Sequence, residues 1–208
     1  MAVKNITEAV LAFNMAGVVD LVKAELGKGM EINSILNDGL IGAMDIVGKK
    51  FSDGELFVPE MLQAAKAMKA GLEVLKPHLS GEAAVTKGTI VIGTVKGDLH
   101  DIGKNLVAMM MEGAGFNVVD LGVDVAADKF VQSARENSAG VVALSALLTT
   151  TMPAMETTVA AIKEAEVAAM TIIGGAPVTE AFADQVGSDG YSDDAPGAVE
   201  LVRKLMAA

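Results

Sequence analysis

The apolar positions change period once along the chain. From residue 33 to 51, Leu36, Leu40, Met44, Val47 and Phe51 recur at three- and four-residue steps. The same spacing runs from 58 to 79 through Met61, Ala65, Met68, Leu72 and Leu75. Each stripe lies along one face of an α-helix. Pro59 fits a first helical turn, where its missing N–H has no helical partner. Breaks fall at 27–29 and at Ser52-Asp53-Gly54. Two shorter helices, at about 6–13 and 16–26, complete an expected four-helix bundle over residues 1–80.

Residues 81–87 are small and polar and read as a linker. Over residues 88–208, β-rich runs at 89–95, 117–121, 140–145, 170–174 and, more weakly, 189–191 alternate with amphipathic segments. Those segments fall at about 102–114, 126–137, 152–166, 178–186 and 195–206. Five successive βα units predict a parallel five-stranded sheet with helices on both faces, a Rossmann-like fold of flavodoxin type. The first, third and fourth runs are nearly all apolar, as strands buried on both faces must be.

Composition narrows the classes of partner. A formal charge of −11, no Trp and one Tyr disfavour nucleic acid, which needs clustered cations and stacking rings. No apolar run reaches the ~18 residues of a membrane span, and the N-terminus lacks a signal-peptide pattern, so a cytoplasmic protein is expected. Without Cys there is no disulfide, thiolate ligand or Cys nucleophile. Thirteen Met fill core positions or line an apolar face.

Ligands of such sheets bind beyond the carboxyl ends of the strands, where the strand order reverses. With the order 2-1-3-4-5, the first, third and fourth strands adjoin there, and the unusual residues follow those three. After the first come Gly97-Asp98-Leu99-His100-Asp101-Ile102-Gly103, after the third Ser145, Leu147 and Thr149 to Thr151, and after the fourth Gly174-Gly175. Asp98 can accept the proton of one ring nitrogen of His100 and leave the other for a metal. The pair is equally an ordinary surface His beside an Asp, and the residues alone leave both readings open. With two His and no Cys, a conventional zinc site is hard to assemble around His100. A metal that brings most of its own ligands removes that difficulty. Gly174-Gly175 would let a ligand pass close to the backbone, or simply end a strand. The hydroxyls of Ser145 and Thr149 to Thr151 can bind a guest or cap the next helix. A phosphate loop is disfavoured because GxxxxGK[ST] and GxGxxG are absent. A phospho-acceptor receiver is disfavoured too, since no acidic cluster ends the first strand and no Lys follows the fifth.

Taken together, Asp98-x-His100-x-x-Gly103, Ser145-x-Leu147 and Gly174-Gly175 resemble the three-part signature of B12-binding domains that hold the cofactor base-off and His-on. The segment 54–61, GELFVPEM, resembles the helical cap of corrinoid methyltransferase proteins. The resemblance spans almost the whole chain and implies a helical cap followed by a cobalamin-binding α/β domain. It implies that His100 coordinates the cobalt of cobalamin or a related corrinoid, with Asp98 on the other ring nitrogen and Thr151 as a hydroxyl relay. It places the nucleotide tail beside Ser145, Leu147, Thr149, Gly174 and Gly175, with Tyr191 at the border. Gly97, Leu99, Asp101, Ile102 and Gly103 complete the implied cofactor loop, while His78 has no implied role.

The implied activity is methyl carriage rather than independent turnover. The cob(I)amide form accepts a methyl group from a substrate-specific methyltransferase and passes it, as methyl-cob(III)amide, to a second methyltransferase with tetrahydrofolate or a similar acceptor. A reductive activator would restore accidentally oxidised cobalt. The methyl donor (methylamine, quaternary amine, aryl methyl ether or methanol) is set by the partner. The alternatives are a subunit of an adenosylcobalamin mutase, which usually lacks this cap, and a B12-dependent sensor, which would carry a DNA-binding domain and a characteristic Trp.

Overall fold

A computed structural model of the chain describes residues 2–79 and 86–207; most of the expected linker therefore lies outside the described residues. Two compact units emerge, one of Met1–Thr86 with Glu112–Gly115, the other of Lys87–Met111 with Phe116–Ala208.

The first unit contains helices α1 (Ala2–Leu11), α2 (Met15–Gly27), α3 (Gly42–Ser52) and α4 (Val58–Leu75), with a π-helical stretch, Ser34–Ile41, running directly into α3. Asn14 caps α2 by accepting from Gly17 N–H at 2.9 Å. Glu60 reaches back to Phe57 N–H at 2.8 Å and fixes the start of α4. The π register alters the expected apolar stripe. Its extra residue per turn puts Ile35 and Leu40, five apart, in the core with Met44 and Val47, while Leu36 is only half-buried. On α4 the core position expected for Leu72 is taken by Gly71. A Cβ there would lie 2.7 Å from Val18 and 2.9 Å from Leu40, so glycine lets α4 approach both neighbours.

In the second unit the strands are β1 (Thr89–Thr94), β2 (Asn117–Asp120), β3 (Val141–Ser145), β4 (Met170–Gly174) and β5 (Gly190–Tyr191). They form one parallel sheet in the order β2-β1-β3-β4-β5, as the alternation of elements predicted. Helices α5 (Ile102–Gly113), α6 (Ala127–Glu136), α7 (Met152–Glu164), α8 (Glu180–Val186) and α9 (Ala195–Met206) connect and follow the strands. Val91, Val142, Leu144 and Ile173 pack with Phe130, Met155, Val159 and Ile162 of α6 and α7 in one core. Central strands buried on both faces fix the register, because a one-residue slip would exchange the two sets of side chains. Among the described residues, no helix is long and apolar enough to cross a membrane.

Because Gly71 leaves no space for a side chain, Gly71→Leu is expected to destabilise the helical unit by about 1–3 kcal/mol. A urea titration followed by circular dichroism measures the loss; an unchanged midpoint would contradict this packing.

Candidate functional site

Three loops meet at the carboxyl end of the sheet, and one carboxylate joins two of them directly. Asp98 is 2% exposed. Its Oδ1 accepts from His100 N–H at 3.2 Å and lies 2.6 Å from His100 Nδ1. The backbone contact is a short turn in which an Asp bonds its own chain two residues on. The other oxygen, Oδ2, accepts from Leu147 N–H at 2.8 Å, Leu148 N–H at 3.4 Å and the Thr151 hydroxyl at 2.6 Å. Burial alone would raise the Asp98 pKa, but the bonds from Thr151, His100 and Leu147 outweigh it and hold the carboxyl well below its usual range.

An ionised Asp98 can only accept, so a neutral His100 carries its proton on Nδ1 and leaves a lone pair on Nε2. That nitrogen lies 2.9 Å from Ser145 Oγ, which is the donor when the ring is neutral. Thr151 stands at the N-cap position of α7, yet its side chain makes no cap bond to the helix. Its hydroxyl is directed to Asp98 and, at 2.8 Å, to the Leu148 carbonyl. The expected cap role therefore gives way to support of the carboxylate.

The third loop enters through the backbone. Asp124 N–H donates to the Asp98 carbonyl at 2.9 Å, and Gly97 N–H donates to Asp124 Oδ1 at 2.8 Å. Gly97 N–H and the Lys96 ammonium hold the Asp124 carboxyl below its usual range. Five of the eight exposed large apolar side chains among the described residues lie on these loops: Leu99, Ile102, Val123, Leu147 and Leu148. Leu99 and Ile102 are more than three-quarters exposed, at 76% and 78%. Gly103 is exposed beside them, and a Cβ there would meet no atom of the chain within 4 Å.

Several supporting residues carried no sequence signal. Thr94, fully buried at the end of β1, donates its hydroxyl to the His100 carbonyl at 2.8 Å. Lys104, buried in the first turn of α5, ion-pairs with Asp120 at the end of β2. Asp120 also accepts from Gly122 N–H at 2.8 Å, which shapes the β2–α6 loop. Each could have been read only as strand filler or a surface charge.

Other predicted residues are placed differently. Ser145 stands opposite Gly174 in the β3–β4 register. Gly175 has φ +131°, and an added Cβ would collide with the Ala146 carbonyl, so packing within the chain already requires glycine there. Asp101 uses its carbonyl to accept from Asn105 N–H at 2.7 Å, and its side chain is exposed, as is Thr149. Tyr191 pairs with Ile173 and packs against the sheet core, apart from the Asp98 network. No group of three or more His, Asp, Glu or Cys among the described residues could hold a metal ion.

These features would suit a large, flat, metal-bearing guest approached by one imidazole. The exposed aliphatic side chains suit an apolar macrocycle, and the unprotonated Nε2 suits a metal that brings its other ligands. A B12 binding domain family matches residues 88–200, and a second B12 binding domain family matches residues 2–76. The chain belongs to the B12-binding corrinoid proteins. Trimethylamine corrinoid protein 2 of Methanosarcina acetivorans is 42% identical over 200 residues, covering 94% of this chain and 92% of that protein. The crystal structure of the methanol:cobalamin methyltransferase complex MtaBC from Methanosarcina barkeri contains a chain that superposes with a TM-score of 0.90 at 30% identity. That match covers 100% of this chain and 80% of the other. A cobalamin-binding protein from Desulfitobacterium hafniense gives 0.81 at 31% identity, covering 98% of both chains.

Asp98→Asn would set an amide N–H₂ against groups that all donate, and is expected to cost about 2–4 kcal/mol at neutral pH. The folded pKa of Asp98 lies below the unfolded one, so its stabilisation is full above the usual carboxyl range of about 4. It drains away as pH falls toward the folded value. Urea midpoints of wild type and variant should therefore converge in acid; a difference independent of pH would contradict the ionised assignment.

Proposed function

We propose that this chain is a corrinoid methyl carrier in which His100 Nε2 is the protein ligand to cobalt. The observation that carries the proposal is the Asp98–His100 pair, 2.6 Å apart, with the carboxylate anchored by four further donated bonds. When bound, the corrinoid cobalt takes up a methyl group and later releases it to an acceptor. The chain's own work is to orient and tune. Asp98 fixes the tautomer and makes Nε2 a better donor to a metal. Thr151 stabilises the carboxylate and can give it a stronger or weaker bond as the charge on the imidazole changes. Leu99, Ile102, Leu147 and Leu148 offer apolar contact to the macrocycle, while Ser145 and Gly174 border the space for its tail.

The methyl enters from one partner methyltransferase and leaves through a second, with tetrahydrofolate or a similar acceptor, and a reductive activator keeps the cobalt competent. The complex of a methanol:cobalamin methyltransferase, in which a similar chain takes part, supports the first partner. Greater identity to a trimethylamine corrinoid protein than to that chain supports a methylated amine as the donor. The whole-chain match, helical unit included, favours the carrier over a mutase subunit or a sensor. The cytoplasm is the compartment this role implies.

Protein reconstituted with cobalamin, reduced to cobalt(II) and labelled with ¹⁵N-histidine should show its axial-nitrogen splitting change from a triplet to a doublet in electron paramagnetic resonance. His100→Ala should abolish that response, and Asp98→Asn should weaken cofactor binding by about 10–100-fold. A splitting that survives His100→Ala would refute the ligand assignment.

A further inference from the structure

We infer that the Ser145 hydroxyl caps the metal-ligating nitrogen of His100 in the cofactor-free chain, so that corrinoid binding proceeds by exchange of a hydrogen bond for a cobalt bond. The inference deepens the proposed ligation by His100 and rests on it. With Asp98 Oδ1 2.6 Å from Nδ1, the neutral imidazole carries its proton there, which leaves Nε2 able only to accept. Ser145 Oγ, at 2.9 Å, donates to that lone pair, the same one a metal would use. The same lone pair cannot serve both.

Placement in the sheet makes the exchange feasible. Ser145 is the last residue of β3, flanked in register by Thr94 on one side and Gly174 on the other. The Thr94 hydroxyl is committed to the His100 carbonyl, whereas on the β4 side Ser145 faces Gly174, beside which lies the Ser192 carbonyl, an acceptor. His100 is held through Nδ1 and its backbone, so the ring keeps its direction when the cap leaves. The step balances without an added reagent. The Oγ–H···Nε2 bond would break, the serine proton would stay on its oxygen, and Nε2 would replace a water bound to cobalt. The cap shields a basic nitrogen until a ligand strong enough to displace it arrives, and the freed hydroxyl is then available on the Gly174 side.

Diaquocobinamide, which has no nucleotide tail, isolates this step. Titrated into the cofactor-free full chain and followed by absorbance, it should bind Ser145→Ala about 3- to 10-fold more tightly than wild type, since one hydrogen bond no longer competes. Ser145→Cys, with its weaker donor, should fall between them. In a His100→Ala background the Ser145→Ala gain should vanish, which a general effect on folding would not do. Equal or weaker binding by Ser145→Ala, or a gain that persists without His100, would overturn the exchange. Should His100→Ala alone leave cobinamide affinity and spectrum unchanged, the ligation reading itself fails, and the two failures are thereby distinguished.

Discussion

The site depends on the burial of one negative charge. Removing a carboxylate from water costs several kcal/mol unless its oxygens are filled by donors. Asp98 has five such bonds, and three of them come from residues 147–151, about fifty positions away in sequence. A hydrogen bond to a charged group contributes about 1.5–3 kcal/mol, so the set offsets the burial only when it is complete. Completeness requires β1 and β3 to be paired in register, with Val95 N–H reaching the Ser145 carbonyl at 3.0 Å just before the loops begin. The imidazole is therefore oriented only in the folded domain. A ring direction that local sequence could not hold is held by long-range pairing.

This explains what could be read from the sequence. The strand order followed from five alternating units, and it brought Asp98, His100, Ser145 and Thr151 to one place because the loops after adjacent parallel strands must lie together. The Asp98–His100 geometry was legible because i and i+2 in a turn share a side. Thr94 was not, since a Thr in an apolar β run looks like strand filler until its hydroxyl is seen on the His100 carbonyl. Nor was Lys104, whose place in the first turn of a helix resembles a solvated charge although it is buried against Asp120. At Gly175 a packing reason was not legible: the neighbouring Ala146 carbonyl by itself forbids a side chain there. In the helical unit, a regular helical period selected Leu36, whereas the π register selected Ile35, because an inserted residue rotates everything before it.

The same end of the sheet gives up stability that the rest of the domain retains. Leaving Leu99 and Ile102 in water forgoes burial worth roughly 1.5–3 kcal/mol each, and the partly exposed Val123, Leu147 and Leu148 forgo a part of that. Diverting Thr151 from the start of α7 forgoes a cap worth about 1 kcal/mol. By contrast, Asp194 and Thr179 cap α9 and α8 in the ordinary way. A fold under no functional demand would bury these aliphatics or replace them with polar residues, and would let Thr151 cap its helix. The concentration of all these departures around one imidazole indicates that the missing stabilisation is recovered on binding. In the proposed holo form an apolar macrocycle would cover the aliphatics, and its metal would take the one nitrogen that the carboxylate keeps free of a proton.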